Sequence, residues 1–80
     1  MRVNILCFGA TKEIVGKGML SIEVSEHATV EVLLETLRAH YPALEKLTSL
    51  AVAVNSEYVK GDFTVHDNDE IALIPPVSGG

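Results

Sequence analysis

The chain has 80 residues, of which 48% are hydrophobic and 21% are charged, and its formal net charge at pH 7 is −5. This length predicts one domain, and the acidic excess argues against a nucleic-acid partner, which selects clustered lysines and arginines. The one cysteine, Cys7, excludes an intrachain disulfide framework and fits a reducing compartment. Neither a transmembrane helix nor a signal peptide is recognisable, so we expect a soluble cytoplasmic protein with no membrane partner.

Two strands are predicted in the first third of the chain. Alternation over residues 2–8 places Val3, Ile5 and Cys7 on a core face, and it leaves Leu6 and Phe8 on the opposite face. Residues 20–24 alternate in the same way and predict the second strand. Between them, residues 9–18 contain three glycines and are predicted to form a connecting loop, which makes the pair an antiparallel hairpin.

A helix is predicted over residues 29–40. Its apolar residues recur at i, i+3, i+4 and i+7, the spacing of one buried stripe; they are Val30, Leu33, Leu34 and Leu37. Thr29 is the expected N-cap, and Pro42 disfavours helical geometry at Tyr41, so the helix should end there.

The rest of the chain predicts three more strands. Residues 50–54 are wholly apolar, as in an interior strand, Tyr58 and Val59 suit a brief edge strand, and residues 70–74 place Ile71 and Leu73 inward. Only a crossover through the helix lets a late strand lie parallel to the first. We therefore predict an α+β fold of the β-grasp, or ubiquitin-like, class. In it, a mixed sheet curls around one main helix over residues 1–74, followed by a flexible tail over residues 75–80.

Side chains suited to catalysis or metal binding are scarce in this sequence. The histidines have no metal-ligand spacing to one another or to Cys7, the glycines lack the spacing of a phosphate-binding loop, and Cys7 lies on a predicted core face. No tightly bound cofactor and no metal are expected. The chain is either a binding module, or its chemistry resides outside its side chains.

The segment "PPVSGG" offers such chemistry. Extended, residues 75–80 reach roughly 20 Å beyond the last strand. Pro75 and Pro76 favour an extended start, and Gly79 and Gly80 make the end slim enough for a narrow channel. Adenylation of the Gly80 carboxylate by ATP and displacement of AMP by sulfur would leave a thiocarboxylate there. The alternative is a diglycine without function.

Two segments carry a family resemblance that covers essentially the whole chain: "LCFGATKEIVG" (6–16) and "VHDNDEIALIPPVSGG" (65–80). The sequence resembles the sulfur-carrier subunits of molybdopterin synthase, within the ThiS/MoaD-like group. This resemblance implies that Gly80 is adenylated and then thiocarboxylated, and that Gly79 enters the active site of a large subunit with it. The sulfur would build the dithiolene of molybdopterin from cyclic pyranopterin monophosphate. On this reading the chain is not catalytic alone.

The resemblance also implies partners. They are a molybdopterin synthase large subunit in a heterotetramer, a ubiquitin-activating-like adenylyltransferase that uses ATP and Mg, and a sulfur donor protein. Leu6, Phe8 and Ile74 should form one apolar patch beside the tail if the first and last strands pair. The residues expected to bind the partners are Leu6, Phe8, Ile74, Pro75, Pro76, Val77 and Ser78.

Three other functions remain open at this point. The first is a ubiquitin-like modifier joined to lysines through Gly80, which the sequence separates poorly from a sulfur carrier because carriers and modifiers share activation chemistry. A sulfur carrier of another pathway, such as thiamine biosynthesis, has the same fold and diglycine. The third alternative is a non-covalent interaction domain with an incidental diglycine.

Overall fold

The computed structural model describes residues 1–47 and 49–75. Three helical segments and five strands follow one another along this part of the chain. In order they are β1 (Arg2–Cys7), α1 (Ala10–Val15), β2 (Met19–Glu23), α2 (Val30–His40), a 3₁₀ helix (Pro42–Lys46), β3 (Ala51–Val54), β4 (Glu57–Val59) and β5 (Glu70–Ile74).

The five strands form one mixed sheet in the order β2-β1-β5-β3-β4. The first and last strands, β1 and β5, lie side by side and parallel, with Ile5 opposite Ile71. The other neighbouring strands pair antiparallel. This arrangement confirms the predicted α+β, β-grasp fold, the hairpin of β1 and β2, and the edge position of β4.

Helix α2 begins and ends where the sequence predicts. The Thr29 hydroxyl oxygen accepts a hydrogen bond from the Val32 N–H at 3.3 Å, which satisfies one of the free donors of the first turn. At the other end the Tyr41 N–H donates to the Leu37 carbonyl at 2.8 Å, immediately before Pro42. The apolar stripe of α2 packs on one face of the sheet, and together they bury a core that includes Val3, Ile5, Cys7, Val30, Leu33, Leu37, Ile71 and Leu73.

The predicted loop over residues 9–18 is wrong in its middle, because residues 10–15 form α1. Thr11 and Val15 lie one helical turn apart and are both buried, so a short buried stripe stabilises the turn. Gly9 and Gly16 have positive φ angles of 53° and 87° and stand just outside α1. These glycines bound the helix and do not interrupt it.

A tight turn joins β3 to β4 at the end of the sheet away from Ile74. Asn55 and Ser56 have φ angles of 50° and 75°, the two left-handed residues of a type I′ hairpin. The Asn55 side chain donates to an Asp69 carboxylate oxygen at 3.0 Å and accepts from the Glu70 N–H at 3.1 Å. The other Asp69 oxygen accepts from the His66 N–H at 2.7 Å, so one carboxylate fastens two turns together.

Within residues 1–47 and 49–75, no helix is both long enough and apolar enough to cross a membrane.

Candidate partner-binding surface and tail base

The sheet face opposite α2 carries a row of apolar side chains, one from each strand. The pairing register places Met19 opposite Leu6, Leu6 opposite Ala72, Ala72 opposite Ala53, and Ala53 opposite Tyr58. The two ends of this row are its most exposed residues, with Met19 at 57% and Tyr58 at 72% of their full accessible areas. We call these five residues the outer apolar row. The row is apolar across the whole width of the sheet, but Ala53 is only 6% exposed, so the accessible surface comes from the other four residues.

A second set of apolar side chains lies next to the outer apolar row, toward the end of β5. Because Cys7 pairs with Leu73 in parallel register, Phe8 follows at the level of Ile74, which is itself opposite Ala51. Phe8 is 49% exposed, and Ile74 is half-buried. The first and last strands therefore pair, as the predicted apolar patch requires, and Leu6, Phe8 and Ile74 lie on one face of the sheet. Their role in binding a partner stays a prediction.

Thr11 connects the end of β1 to the end of β5. Its side chain is fully buried, and its hydroxyl donates to the Phe8 carbonyl at 2.6 Å while accepting from the Phe8 N–H at 2.9 Å. The Leu73 carbonyl oxygen lies 3.5 Å from the same hydroxyl. One buried hydroxyl therefore organises the backbone at the place where the chain leaves the sheet.

Gly9 is in contact with the first residue of the predicted tail. A Cβ atom added to Gly9 would lie 3.2 Å from Cγ of Pro75, closer than ordinary van der Waals contact. The absence of a side chain at Gly9 lets Pro75 lie against the loop that opens α1. Gly9, Thr11 and Pro75 form what we call the tail base.

The remaining predicted site residues, Pro76, Val77, Ser78, Gly79 and Gly80, lie outside the described residues. Their roles, and the division into a domain over residues 1–74 and a tail over residues 75–80, stay predictions.

Sequence reasoning missed several residues of this surface. Met19 has the same parity as the outward residues Ser21 and Glu23, so extending the alternation by one residue would have found it. Tyr58 and Ala72 needed the register of the sheet, because only the pairing places them in line with Leu6. No sequence signal marks Thr11 as the buried hydroxyl of the tail base.

The described side chains offer little reactive chemistry. Burial raises the pKa of the Cys7 thiol through loss of hydration, so the thiol stays protonated and unreactive in the folded chain. Residues 1–47 and 49–75 contain no group of three or more histidine, cysteine, aspartate or glutamate side chains arranged to hold a metal ion. What this part of the chain presents is an apolar surface beside the tail base.

Comparison with known proteins identifies relatives over the full length. The ThiS family model matches residues 5–80. The molybdopterin synthase sulfur carrier subunit of Chlamydomonas reinhardtii is 36% identical and is covered over 100% of both chains. The subunit of the same name from Dictyostelium discoideum is 39% identical over 96% of this chain and 94% of its own length.

Solved structures extend the likeness to the fold. Small archaeal modifier protein 1 of Haloferax volcanii superposes with a TM-score of 0.88 at 29% identity, covering 100% of both chains. A chain in the complex of subunits 1 and 2 of the molybdopterin-converting factor from Helicobacter pylori has a TM-score of 0.71 at 26% identity, also covering 100% of both chains.

Proposed function

Because this chain belongs to the ThiS family, we propose that it is a sulfur carrier that supplies a molybdopterin synthase. The observation that carries the proposal is the full-length similarity to subunits of that name, at 36% and 39% identity. The apolar surface beside the tail base supports it, because a carrier must dock while it presents its end to an active site elsewhere.

We propose that the chemistry takes place at the carboxylate of Gly80. An activating enzyme would use ATP and Mg, so that a carboxylate oxygen attacks the α-phosphorus and pyrophosphate leaves. Hydrosulfide released by a donor protein would then attack the acyl carbon, and cleavage of the bond between that carbon and the AMP oxygen would leave a thiocarboxylate and free AMP. Sulfur delivered in this form would build the dithiolene on cyclic pyranopterin monophosphate in the large subunit. Pro76, Val77, Ser78 and Gly79 would lie in the channel that leads there.

The described residues would supply docking and direction. The outer apolar row, with Phe8 and Ile74, would contact the large subunit, and burial of such a surface is the main source of affinity between proteins. Thr11 and the contact of Gly9 with Pro75 would set the direction in which the tail leaves β5. A carrier fixed at its base and slim at its tip can reach two active sites in turn.

Intact mass spectrometry tests the chemistry. The chain is incubated with an activating enzyme, ATP, Mg and a sulfur donor, and we expect the mass of one oxygen-to-sulfur exchange. A variant that lacks Gly80 is the control and should show no exchange. An unchanged mass in the complete mixture, or the same exchange in the shortened chain, would contradict the proposal.

The assembly is testable by light scattering of the chain mixed with the large subunit. We propose a heterotetramer with two carriers on a dimer of large subunits. The complex of subunits 1 and 2 in Helicobacter pylori supports a partner of this kind. A scattering mass no larger than that of the separate proteins, at micromolar concentrations, would count against it.

A second candidate function is that of a protein modifier joined to lysines through Gly80. The close superposition on small archaeal modifier protein 1 over the full chain favours it. Higher-mass conjugates of an epitope-tagged chain, lost when Gly80 is removed, would support this function. We place either activity in the cytoplasm, where the free thiol of Cys7 is compatible with the reducing conditions.

A further inference from the structure

Within the described part of the chain, β2 pairs with β1 alone, so its outer edge carries backbone hydrogen-bonding groups that no other strand uses. Met1 and Val24 exchange backbone bonds of 2.7 and 2.8 Å, and the Cys7 N–H donates to the Gly18 carbonyl at 2.8 Å. In an antiparallel pair, every second residue of a strand directs its N–H and C=O groups at the neighbouring strand. In β2 these are the even-numbered residues, whose backbone groups bond to β1. The N–H and C=O groups that point away from the sheet therefore belong to Met19, Ser21 and Glu23.

A groove of about 390 Å³ runs between this edge and α2. Leu20 and Ile22 of β2 line one wall and are only half-buried, because β2 is the edge strand of the sheet that residues 1–47 and 49–75 form. Leu37 and Tyr41 line the opposite wall. The groove thus combines accessible aliphatic side chains with a strand edge, the two features by which sheets bind extended peptides.

Of the charged side chains that line the groove, the acidic one is in ion pairs and the basic one is not, within the described part of the chain. Glu23 is compensated by the amino group of Met1 at 3.3 Å and by the Arg2 guanidinium at 3.0 Å. Lys17, at the other end of the groove, forms no ion pair with any described residue. A local positive site on a chain of net charge −5 favours an acidic ligand group.

We propose that this groove binds an extended segment of a partner protein as an added strand on β2. Alternate aliphatic side chains of the segment occupy the groove, its backbone pairs with Met19, Ser21 and Glu23, and an acidic residue lies beside Lys17. A second copy of this chain suits the edge less well, because two chains of charge −5 repel. The site does not involve the tail, and of the outer apolar row it uses only the backbone of Met19. The docking side chains of that row are not part of it, so it is independent of the proposed function.

Peptide selection followed by NMR tests the proposal. The full chain is the bait for a displayed library of random peptides of about twelve residues, enough to span the strand. We expect enriched peptides to alternate aliphatic residues and to carry Asp or Glu at one end. On titration with such a peptide, amide shifts should concentrate in residues 17–23 and 36–41.

Three substitutions define the site, and a fourth, Lys60→Glu, is the control for charge. Ser21→Pro removes an outward N–H but no backbone bond to β1, and should weaken the peptide about tenfold. It also removes the exposed hydrogen bond of 2.8 Å that the Ser21 hydroxyl donates to Asn4 Oδ1. Lys17→Glu should weaken it about tenfold through charge reversal, whereas Lys60→Glu, with the same change of net charge, should leave the affinity unchanged. If Ser21→Pro lowers the stability of the fold, Thr36→Trp fills the groove instead and should cause the same loss.

Four results would overturn the proposal. One is enrichment of the same peptides on wild-type chain and on folded Ser21→Pro or Thr36→Trp variants. Another is a set of shifts that maps to Leu6, Ala53, Tyr58 and Ala72 of the outer apolar row. A third is a selection that enriches no peptide above background. The last is a concentration-dependent shift of β2 amides without peptide, which would assign the edge to a second copy of the chain.

Discussion

Two exposed serines in turns should respond to glycine with opposite signs of stability change. Ser56 has φ +75°, and a left-handed conformation costs an L-residue roughly 1–2 kcal/mol. Glycine removes that cost, but its freedom in the unfolded chain destabilises the fold by about 0.5–1 kcal/mol. The difference predicts that Ser56→Gly stabilises the protein by about 0.5–1 kcal/mol.

Ser25 provides the matched control. It is also exposed and also lies outside the strands, but its φ angle is not positive, so glycine relieves no strain there. Ser25→Gly should therefore destabilise by about 0.5–1 kcal/mol, the entropic term alone.

Urea unfolding followed by circular dichroism measures both variants. With a slope of about 1 kcal/mol per molar urea, as in small domains, each midpoint should move by roughly 0.5–1 M, upward for Ser56→Gly and downward for Ser25→Gly. Movement of both midpoints in the same direction would refute the conformational argument, since it would show that the φ angle at residue 56 does not decide the sign.

Three further predictions concern the tail base, the outer apolar row and the core. Thr11→Val should lower the free energy of unfolding by about 1–3 kcal/mol, measured by heat or urea, because the Phe8 N–H loses its buried acceptor. Thr11→Ser keeps the hydroxyl and should retain most of that stability. Equal stability of the two variants would contradict the role of the hydroxyl. Tyr58→Asp and Phe8→Asp should each weaken binding to the large subunit by tenfold or more in calorimetry, because a carboxylate is costly to bury. The control Val32→Asp, at a 44% exposed position on α2, should leave the affinity unchanged. Three equal affinities would place the interface elsewhere. Burial raises the pKa of the Cys7 thiol above 9.0, which favours its neutral form in the folded state, so the free energy of unfolding should fall as the pH rises above about 9. Cys7→Ala has no thiol and should show a smaller fall over the same pH range. Parallel pH profiles of the two proteins would disprove this contribution of Cys7.

Much of the fold follows from local patterns. The helical stripe, its Thr29 cap and the stop before Pro42 are set by residues close in sequence, which is why their bounds were predictable. The adjacency of β1 and β5 also followed, because a single helix offers one crossover. In each case few arrangements satisfy both the pattern and the connection lengths.

The errors and omissions have a common physical cause. Helix α1 has only six residues, too few for periodicity to outweigh the glycines beside it, and its stability comes from the buried contacts of Thr11 and Val15. The outer apolar row depends on register across five strands, so Met19 and Tyr58 could not be assigned to it from their own neighbours. Properties that arise between distant segments need the assembled sheet.

The position of β5 has a consequence for how the chain folds. It is the last strand in chain order, yet it lies in the middle of the sheet, between β1 and β3. The two hairpins on either side therefore share no backbone pairing until β5 joins them, so folding depends on contacts of long sequence separation and should be slow and all-or-none. Detachment of β5 would dissolve the outer apolar row and the tail base together. A partly folded chain would thus show a partner neither its docking face nor a correctly directed tail.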